Sequence, residues 1–331
     1  MSSGGSDAPN GSGLVAPCLA KADLGAAAEH LDRHEFFWLD LEDPTDAELA
    51  RIGELLHLHP LTLEDAKAFH ERPKREEYDD YVYLVVYGVD AGAEPGSHLL
   101  REVHLVISGS CVVTIHHGAF GAVEDLRKRY DGLRVRGEQF VIYKILDAVI
   151  GTYVPVLART DDDIDDLEQT VVSNPNEECL QRIFALKRDL IAMRRVVTPM
   201  RDFFARDEQK IAELPGMQPD DRLYLRDLYD SLIRVSDLID SYRDLLSGAT
   251  DMYLSTIANR QGEISKQLTI IATIFLPLSF LTGFFGENFS FLTGHILNHT
   301  WTFFVLGLGL LAASVVGLWF FFRRKGWLTP D

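Results

Sequence analysis

Two long runs without a charged residue, residues 268–285 and 301–322, constrain this chain more than any other feature. The first run has 18 residues and the second has 22. At about 1.5 Å per residue, the shorter run makes a helix of roughly 27 Å, close to the roughly 30 Å hydrocarbon thickness of a bilayer. A single run of this kind also suits a buried core helix. Two in tandem, the second flanked by tryptophans and by the basic residues 323–325, favour two membrane-spanning helices.

The basic residues around these runs predict their orientation. The link at residues 286–300 contains no Lys or Arg, whereas Lys266 precedes the first run and three basic residues follow the second. Because basic residues favour the cytoplasmic side, we expect a two-span protein of the cell (inner) membrane with both termini in the cytoplasm. The first 14 residues, rich in Ser and Gly, lack the basic start and apolar core of a signal peptide and predict a disordered lead.

The charge of the 331-residue chain narrows the classes of partner. The formal net charge is −18 at pH 7, and all but five charged residues precede residue 268. Nucleic acid is disfavoured as a partner because phosphate binding needs basic side chains, whereas divalent cations suit an acidic surface. The three cysteines are widely spaced, so they indicate neither a disulfide framework nor a zinc-binding pair.

The residues ahead of the first run predict an α+β domain. β-Branched and aromatic runs predict strands from Phe36 and at residues 81–89, 103–107 and 111–115. Thr45 followed by Glu48 is the pattern of a capped helix start. From Phe120 onward, helical periodicity takes over, at residues 124–130, 139–172 and 177–206. This order of elements predicts α/β/α layers followed by long helices.

A further helix is predicted to run from residue 220 into the first membrane span, because no proline lies between Asp220 and Leu276. Its apolar residues recur in steps of four and three, the seam by which helices pack side by side. The seam residues are Leu228, Leu232, Val235, Ile239, Tyr242, Leu246, Ala249, Tyr253 and Thr256. Residues 220–285 would make a helix of roughly 100 Å.

Four hydroxyl side chains lie within the first span: Thr269, Thr273, Ser279 and Thr282. Such residues line a pore in one interpretation. In the other, each bonds the carbonyl four residues earlier, as Ser and Thr commonly do in membrane helices. Pro277 in the same span removes a backbone donor and is expected to bend the helix.

The stretch KQLTIIATIFLPLSFLTGFFGENF, the link, the second run and the terminal RRKGWL together resemble the CorA family of divalent-cation channels. The family signature is Gly-Met-Asn at the outer end of the first span, and here the triplet is Gly286, Glu287 and Asn288. The soluble part resembles the family as well, through HPL at residues 59–61, ED at 64–65 and RPK at 72–74. Glu287 departs from the signature, which leaves the selectivity for the ion open.

The resemblance implies a funnel-shaped homopentamer in membrane lipid, with the first span of each copy lining a central pore. The domain boundaries then follow. They are a lead at 1–14, a cytoplasmic α/β/α domain with a helical hairpin at 15–219, a long pore helix at 220–285, an external loop at 286–300, a second span at 301–322 and a basic tail at 323–331.

The resemblance also assigns residues along the pore. Gly286, Glu287 and Asn288 would form the selectivity filter, with the amide oxygens of Asn288 in a ring at the outer mouth. Ser279 matches a lower hydroxyl ring, and Leu268 with Leu276 match an apolar constriction. Amide oxygens can replace outer contacts of a hydrated ion, and apolar rings can gate by dewetting.

The resemblance also implies a regulatory Mg²⁺ that carboxylates of the cytoplasmic domain and the long helix would hold. Asp251 of the long helix matches a family position that pairs, across a subunit boundary, with a carboxylate at the end of the strand at residues 81–89, here Asp90. Asp227 matches a second, weaker position. Two carboxylates with retained waters suit Mg²⁺, which sheds water reluctantly. Other acidic residues of these helices, and His59 with Glu64, fit a solvated surface or a helix start better than a metal site.

Three hypotheses for the function follow. The first is a pentameric channel that passes Mg²⁺, with Co²⁺ and Ni²⁺ as further candidates, and is gated by cytoplasmic Mg²⁺. The second is a transporter for zinc or another cation, with selectivity altered by Glu287. The third is an enzyme or sensor that the spans only tether. Against an enzyme, the sequence has no Walker loop, HExxH, Gly-x-Ser-x-Gly or paired-Cys motif.

Overall fold

The computed structural model describes residues 17–20, 23–90, 99–130, 138–206, 222–287, 294–295 and 300–327. The chain divides into two compact units, Met1–Thr250 and Asp251–Asp331. The first unit is an α+β domain built on one sheet, and the second contains the end of a long helix and a C-terminal helix.

A six-stranded mixed sheet organises the first unit. Its strands are β1 (Cys18–Ala20), β2 (Phe37–Glu42), β3 (Lys74–Glu77), β4 (Tyr81–Asp90), β5 (Leu99–Ser108) and β6 (Cys111–His116). The order across the sheet is β1-β2-β6-β5-β4-β3. The β1, β2 and β6 strands are parallel, and the others pair antiparallel. The predicted strands at residues 81–89, 103–107 and 111–115 are confirmed within β4, β5 and β6.

Four short helices connect or follow the strands: α1 (Leu24–Asp32), α2 (Asp46–Leu55), α3 (Pro60–Ala68) and α4 (Gly121–Tyr130). The predicted start of α2 is confirmed, because Thr45 and Glu48 form a reciprocal capping box. The Glu48 amide donates to Thr45 Oγ1 at 3.3 Å, and the Thr45 amide donates to Glu48 Oε2 at 2.7 Å. Two orphan amides of the first turn are thereby satisfied.

Motifs in the soluble part prove to be structural. His59 is the N-cap of α3, where its Nδ1 accepts from the Leu61 amide at 3.2 Å. Lys74 of the RPK segment places its Nζ 2.6 Å from Asp65, and this ion pair ties β3 to α3. Two further carboxylates, Glu76 and Glu71, lie 3.2 and 3.3 Å from the same ammonium. Burial opposes the charge on Lys74, but Asp65 and Glu76 raise its pKa above the ordinary value.

Long helices cover the part of β4 that β3 leaves unpaired. They are α5 (Glu138–Gly151), α6 (Tyr153–Ser173) and α7 (Glu177–Arg206). The Tyr87 amide donates to Met200 Sδ at 3.2 Å, and the Val89 amide donates to Thr152 Oγ1 at 2.9 Å. The Tyr153 hydroxyl donates to the Tyr87 carbonyl at 3.0 Å. Side chains of the helices therefore bond backbone groups of β4 that would otherwise lack partners at an open sheet edge.

Gly88 shows how closely α5 approaches the sheet. A Cβ atom there would lie 2.5 Å from the ring of Phe120 and 3.1 Å from the Val149 carbonyl oxygen. A side chain at this position would push the helix off the strand, so the close packing requires glycine.

The long helix, α8, is continuous from Arg222–Gly286 and includes Pro277. Its predicted seam is confirmed over most of its length. The buried seam residues are Leu228, Leu232, Val235, Ile239, Tyr242, Leu246 and Ala249. The last two, Tyr253 and Thr256, are half-buried. Burial within the single chain therefore fades where the first unit ends.

The second apolar run is helical throughout. A short helical turn, Thr300–Thr302, leads through a π-helical segment, Phe303–Leu308, into α9 (Gly309–Arg324). Length and composition qualify three stretches as membrane spans, Phe140–Ser173, Leu223–Gly286 and Phe304–Arg324. Half of the best window in the first is buried inside the protein, whereas none of the window is buried in the other two. The first stretch, formed by α5 and α6, is core packing against the sheet.

Candidate ion pathway and regulatory carboxylates

Residues assigned to the pore share one face of α8. At about 100° per residue, Leu268, Leu276, Ser279 and Gly286 fall within an arc of roughly 80°. Leu268 is 67% exposed and Leu276 is 75% exposed in the single chain. Within the described part of the chain, little covers these apolar side chains, so this face is open to contact with other molecules.

The hydroxyl groups of the first span divide into two kinds. Thr269, Thr273 and Thr282 each donate to the carbonyl four residues earlier, at 2.8, 2.7 and 2.8 Å. For these three the backbone-bonding interpretation is correct. The Ser279 hydroxyl has no hydrogen bond within the described part of the chain, and its side chain is exposed. The Ser279 hydroxyl can therefore both donate to a water and accept, whereas the three threonine hydroxyls have their protons engaged and can only accept.

The C-terminal end of α8 carries the first two residues of the Gly-Glu-Asn triplet. Gly286 is the last helical residue, and the Glu287 amide donates to the Phe284 carbonyl at 3.4 Å. Positive φ occurs at Gly118 and Gly326 among the described glycines, so Gly286 ends the helix without a left-handed turn. Glu287 is exposed, and none of the described basic groups pairs with it. Asn288 lies outside the described residues.

Aromatic and basic side chains are interleaved at the end of α9. The Arg323 guanidinium lies 5.1 Å from the ring centre of Trp319, and Lys325 Nζ lies 5.6 Å from that of Phe321. Phe322 stacks on Trp327 with ring centres 5.7 Å apart and is buried. Amphipathic rings beside cations suit the boundary between lipid and water.

Asp90, at the end of β4, is held by an arginine of the neighbouring strand. Arg101 Nε donates to Asp90 Oδ2 at 2.7 Å, and the two side chains are 30% and 33% exposed. The strand register sets Gly88 opposite Arg101 and Asp90 opposite Leu99, so Arg101 and Asp90 are diagonal neighbours on one sheet face. The second carboxylate oxygen, Oδ1, has no hydrogen bond to the described residues.

Asp227 is held by aromatic residues. The Tyr143 hydroxyl of α5 donates to Asp227 Oδ2 at 2.9 Å, and the Tyr143 ring lies 4.8 Å from that of Tyr224. Burial, together with the adjacent Asp227 carboxylate, raises the pKa of the Tyr143 phenol above its ordinary value. This bond joins α5 to the start of α8, which gives Asp227 a packing role independent of any ion.

Asp251 differs from both. It is exposed on α8 and has no hydrogen bond or ion pair within the described chain. No cluster of three or more His, Cys, Asp or Glu side chains with metal-binding geometry occurs among the described residues. Asp90, Asp227 and Asp251 therefore belong to no such cluster in the described part of the chain.

Arg101 and Tyr143 were missed by reasoning from the sequence. Each meets its carboxylate through long-range structure, the strand register for Arg101 and helix packing for Tyr143. Only a weak signal for either contact was present in the sequence. Arg101 is a basic residue near the start of a strand, and Tyr143 is an aromatic residue on an amphipathic helix.

Comparisons with known proteins agree with this architecture. The model of a family described as CorA-like Mg²⁺ transporter protein matches residues 33–324. The cobalt/magnesium transport protein CorA of Thermotoga maritima is 32% identical over 282 residues, which cover 84% of this chain and 79% of that protein. The zinc transport protein ZntB of Yersinia enterocolitica is 24% identical over 299 residues, 88% of each protein.

A solved structure has the same fold. The complete structure of the CorA magnesium transporter from Methanocaldococcus jannaschii superposes with a TM-score of 0.78 at 25% identity, over 88% of this chain and 91% of that one. The likeness therefore extends over both units of the chain, and the family model spans from before β2 to the end of α9. This chain belongs to the CorA-like Mg²⁺ transporter family.

Proposed function

We propose that this protein is a channel for divalent cations, Mg²⁺ first among them and Co²⁺ and Ni²⁺ next, in which five copies enclose one pore. The observation that carries the proposal is the face of α8 with Leu268, Leu276 and Ser279. Its leucines are exposed and its serine hydroxyl lacks a backbone partner. A chain with two spans cannot enclose a pore by itself, whereas five first spans side by side can.

The proposed pathway begins at an outer filter of Gly286, Glu287 and Asn288. Amide oxygens of Asn288 would take the place of outer water contacts, the Ser279 hydroxyls would form a ring below, and the leucines would form the apolar gate. The domain boundaries, the two spans and the cytoplasmic termini predicted from the sequence belong to this proposal. The function is transport, without an enzymatic step.

Regulation is assigned to Mg²⁺ held between copies by Asp90 and Asp251, with Asp227 as a weaker participant. Bound Mg²⁺ supplies positive charge between acidic subunits. Asp251 is exposed and unpaired among the described groups, and Asp90 offers Oδ1, so both suit a water-mediated ligand. Without the ion, the like charges of neighbouring copies repel, and the loosened assembly opens the pore.

The second candidate is transport of zinc or of several cations. It is favoured by Glu287, an exposed carboxylate where the family signature has Met. The similarity to a zinc transport protein makes this alternative concrete. A tethered enzyme or sensor, the third hypothesis, predicts no ion flux.

Flux into proteoliposomes tests all three. With Mg²⁺, Co²⁺, Ni²⁺ and Zn²⁺ offered singly and in competition, we expect Mg²⁺ uptake and competition by the other ions. Asn288→Ala should reduce uptake at least tenfold in intact pentamers, because it removes the amide oxygen that the proposal assigns to the ion. Asn259→Ala, an exposed amide on the opposite face of the same helix, is the matched control. Absence of flux for every ion would overturn the channel proposal, and uptake of zinc alone would favour the second candidate.

A further inference from the structure

Arg101 occupies one oxygen of the carboxylate to which the proposed function assigns a regulatory ion. Its Nε lies 2.7 Å from Asp90 Oδ2. Charge-assisted bonds of this kind are among the stronger hydrogen bonds in proteins, and partial burial of both side chains limits screening by water. Any cation that reaches Asp90 therefore meets a carboxylate that is already bonded to a positive group.

The Arg101 guanidinium packs against a loop whose conformation is fixed. Arg101 Nη1 would lie 3.5 Å from a Cβ atom at Gly118, so the group packs against this glycine. Gly118 has φ of +63°, a conformation that favours glycine. Its amide donates to Asp43 Oδ1 at 3.1 Å, and its carbonyl accepts from His116 Nδ1 at 2.9 Å. The loop that seats the guanidinium is thus anchored to two side chains of the sheet end.

We propose that Arg101 is a built-in competitor of the regulatory cation at Asp90 and sets the ion concentration at which the site fills. This inference rests on the assignment of Asp90 to that site. Arg101 leaves Oδ1 open, so a hydrated ion can still contact the carboxylate, but only beside a fixed positive charge. Repulsion between a unit charge and a dication several Å apart lowers ion affinity by about tenfold even at the dielectric constant of water.

A sensor of ion concentration needs a site of reduced affinity for the ion. Cation affinity in oxygen-ligand sites is tuned by the charge count of the ligands, and a site that binds too tightly stays filled as the ion concentration changes. Arg101 offsets one carboxylate without removing its oxygen atoms. The site then keeps its geometry while its affinity shifts to higher ion concentrations.

The test is a Mg²⁺ titration of the purified full-length protein, with the rate of limited proteolysis as the readout, so that ion flux is not needed. Arg101→Gln should lower the Mg²⁺ concentration for half-protection by about tenfold. Arg101→Lys keeps the charge and should stay within about threefold of the wild type. Arg243→Gln is the matched control, since Arg243 is also half-exposed and pairs with Asp240 at 3.0 Å. It should leave the midpoint unchanged.

Asp90→Asn and Asp251→Ala separate failure of this inference from failure of the proposed function. Both should raise the midpoint, and Arg101→Gln should lower the midpoint by less when it is added to Asp90→Asn than it does in the wild type. One outcome is that the Asp90 and Asp251 variants shift the midpoint while Arg101→Gln leaves it unchanged or raises it. That result would overturn the role of Arg101 as a competitor and would leave the regulatory site supported. If Asp90→Asn leaves protection unchanged, the regulatory site fails and the competitor fails with it. Thermal unfolding in a chelator verifies that each variant is folded.

Discussion

The two halves of α8 meet different surroundings within a single chain, although they form one uninterrupted helix. Before Thr250 the apolar seam is buried, and Leu232, Ile239 and Leu246 are fully inaccessible to solvent. Beyond it, large apolar side chains are exposed, with Leu276 at 75%. The first half is stabilised by its own chain, whereas the second depends on lipid or on other copies. Substitutions in the first half should therefore act on stability, and those in the second on assembly or transport.

Acidic residues show the same contrast more sharply. Asp40 is 1% exposed and accepts from Thr114 Oγ1 at 2.7 Å, Arg127 Nη1 at 3.1 Å and His116 Nε2 at 3.2 Å. Asp251 is exposed and has none of these partners among the described residues. One carboxylate completes a buried network, and the other is available to a ligand.

The largest effect is expected from Asp40→Ala. Losing the carboxylate leaves Arg127 and the buried His116 without their counterion, which should lower the free energy of unfolding by about 3–5 kcal/mol. Asp251→Ala, measured without divalent ions, should change it by less than about 0.5 kcal/mol. Denaturant unfolding of the purified protein measures both. Equal losses in the two variants would contradict the division between buried and available carboxylates.

A pair of truncations in α8 probes its two halves directly. Ile239→Ala removes buried methyl groups and should cost about 2–5 kcal/mol of unfolding free energy. Leu276→Ala removes a side chain with no contacts to bury, so it should leave the unfolding of the first unit unchanged and increase ion leak through the proposed gate. Chemical unfolding and liposome flux are both measured on each variant. If Leu276→Ala destabilises as much as Ile239→Ala does, the exposed face is packed in the single chain.

A smaller effect is expected from pH in the network around Asp40. His116 Nδ1 faces the Gly118 carbonyl and Nε2 faces the Asp40 carboxylate, so the two acceptors stabilise the imidazolium, the form in which both nitrogens donate. Burial alone would lower the pKa of His116, but the bond to Asp40 and its charge raise the pKa above the ordinary value. The resulting stability is complete below the unfolded-state pKa of about 6.5 and is lost as pH rises through the higher folded-state pKa.

We therefore expect the free energy of unfolding to fall as pH rises above about 6.5. His116→Gln should flatten this dependence. His117→Gln is the control, because His117 is exposed and its Nδ1 pairs with Asp43 at 2.8 Å on the surface. Unfolding curves between pH 6 and pH 9 measure this dependence in the wild type and in both variants. A profile that His116→Gln leaves unchanged would show that another group causes the dependence.

The sequence predicted best what depends on near neighbours or on strong periodicity. The capping box at Thr45 and the seam of α8 as far as Ala249 are local patterns, and the structure confirms both. The partners of Asp90 and Asp227 were out of reach, because they depend on strand register and helix packing. The hydroxyls of the first span were an intermediate case, since spacing identified the candidates but only the structure separated Ser279 from the three threonines.

The smallest expected effect concerns Glu287, the position where the chain departs from its family signature. It is exposed at the end of α8, so five copies around a pore would set up to five carboxylates at the outer mouth. A ring of this kind concentrates cations, and salt screens its effect over about 8 Å at physiological ionic strength. It also holds ions of several kinds, whereas conduction requires that each ion leave.

Glu287→Met should therefore raise the Mg²⁺ concentration for half-maximal flux by about two- to fivefold at low salt, and by less at high salt. It should also narrow the selectivity towards Mg²⁺ relative to Zn²⁺ and Ni²⁺. Glu287→Gln removes the charge but keeps the size, so it should follow Met in its salt dependence. Competition flux at two ionic strengths measures both effects. If wild type and both variants share one ion preference and one salt dependence, the carboxylates face away from the ion path. The proposed ion pathway would then depend on Asn288, Ser279 and the apolar gate, with no contribution from Glu287.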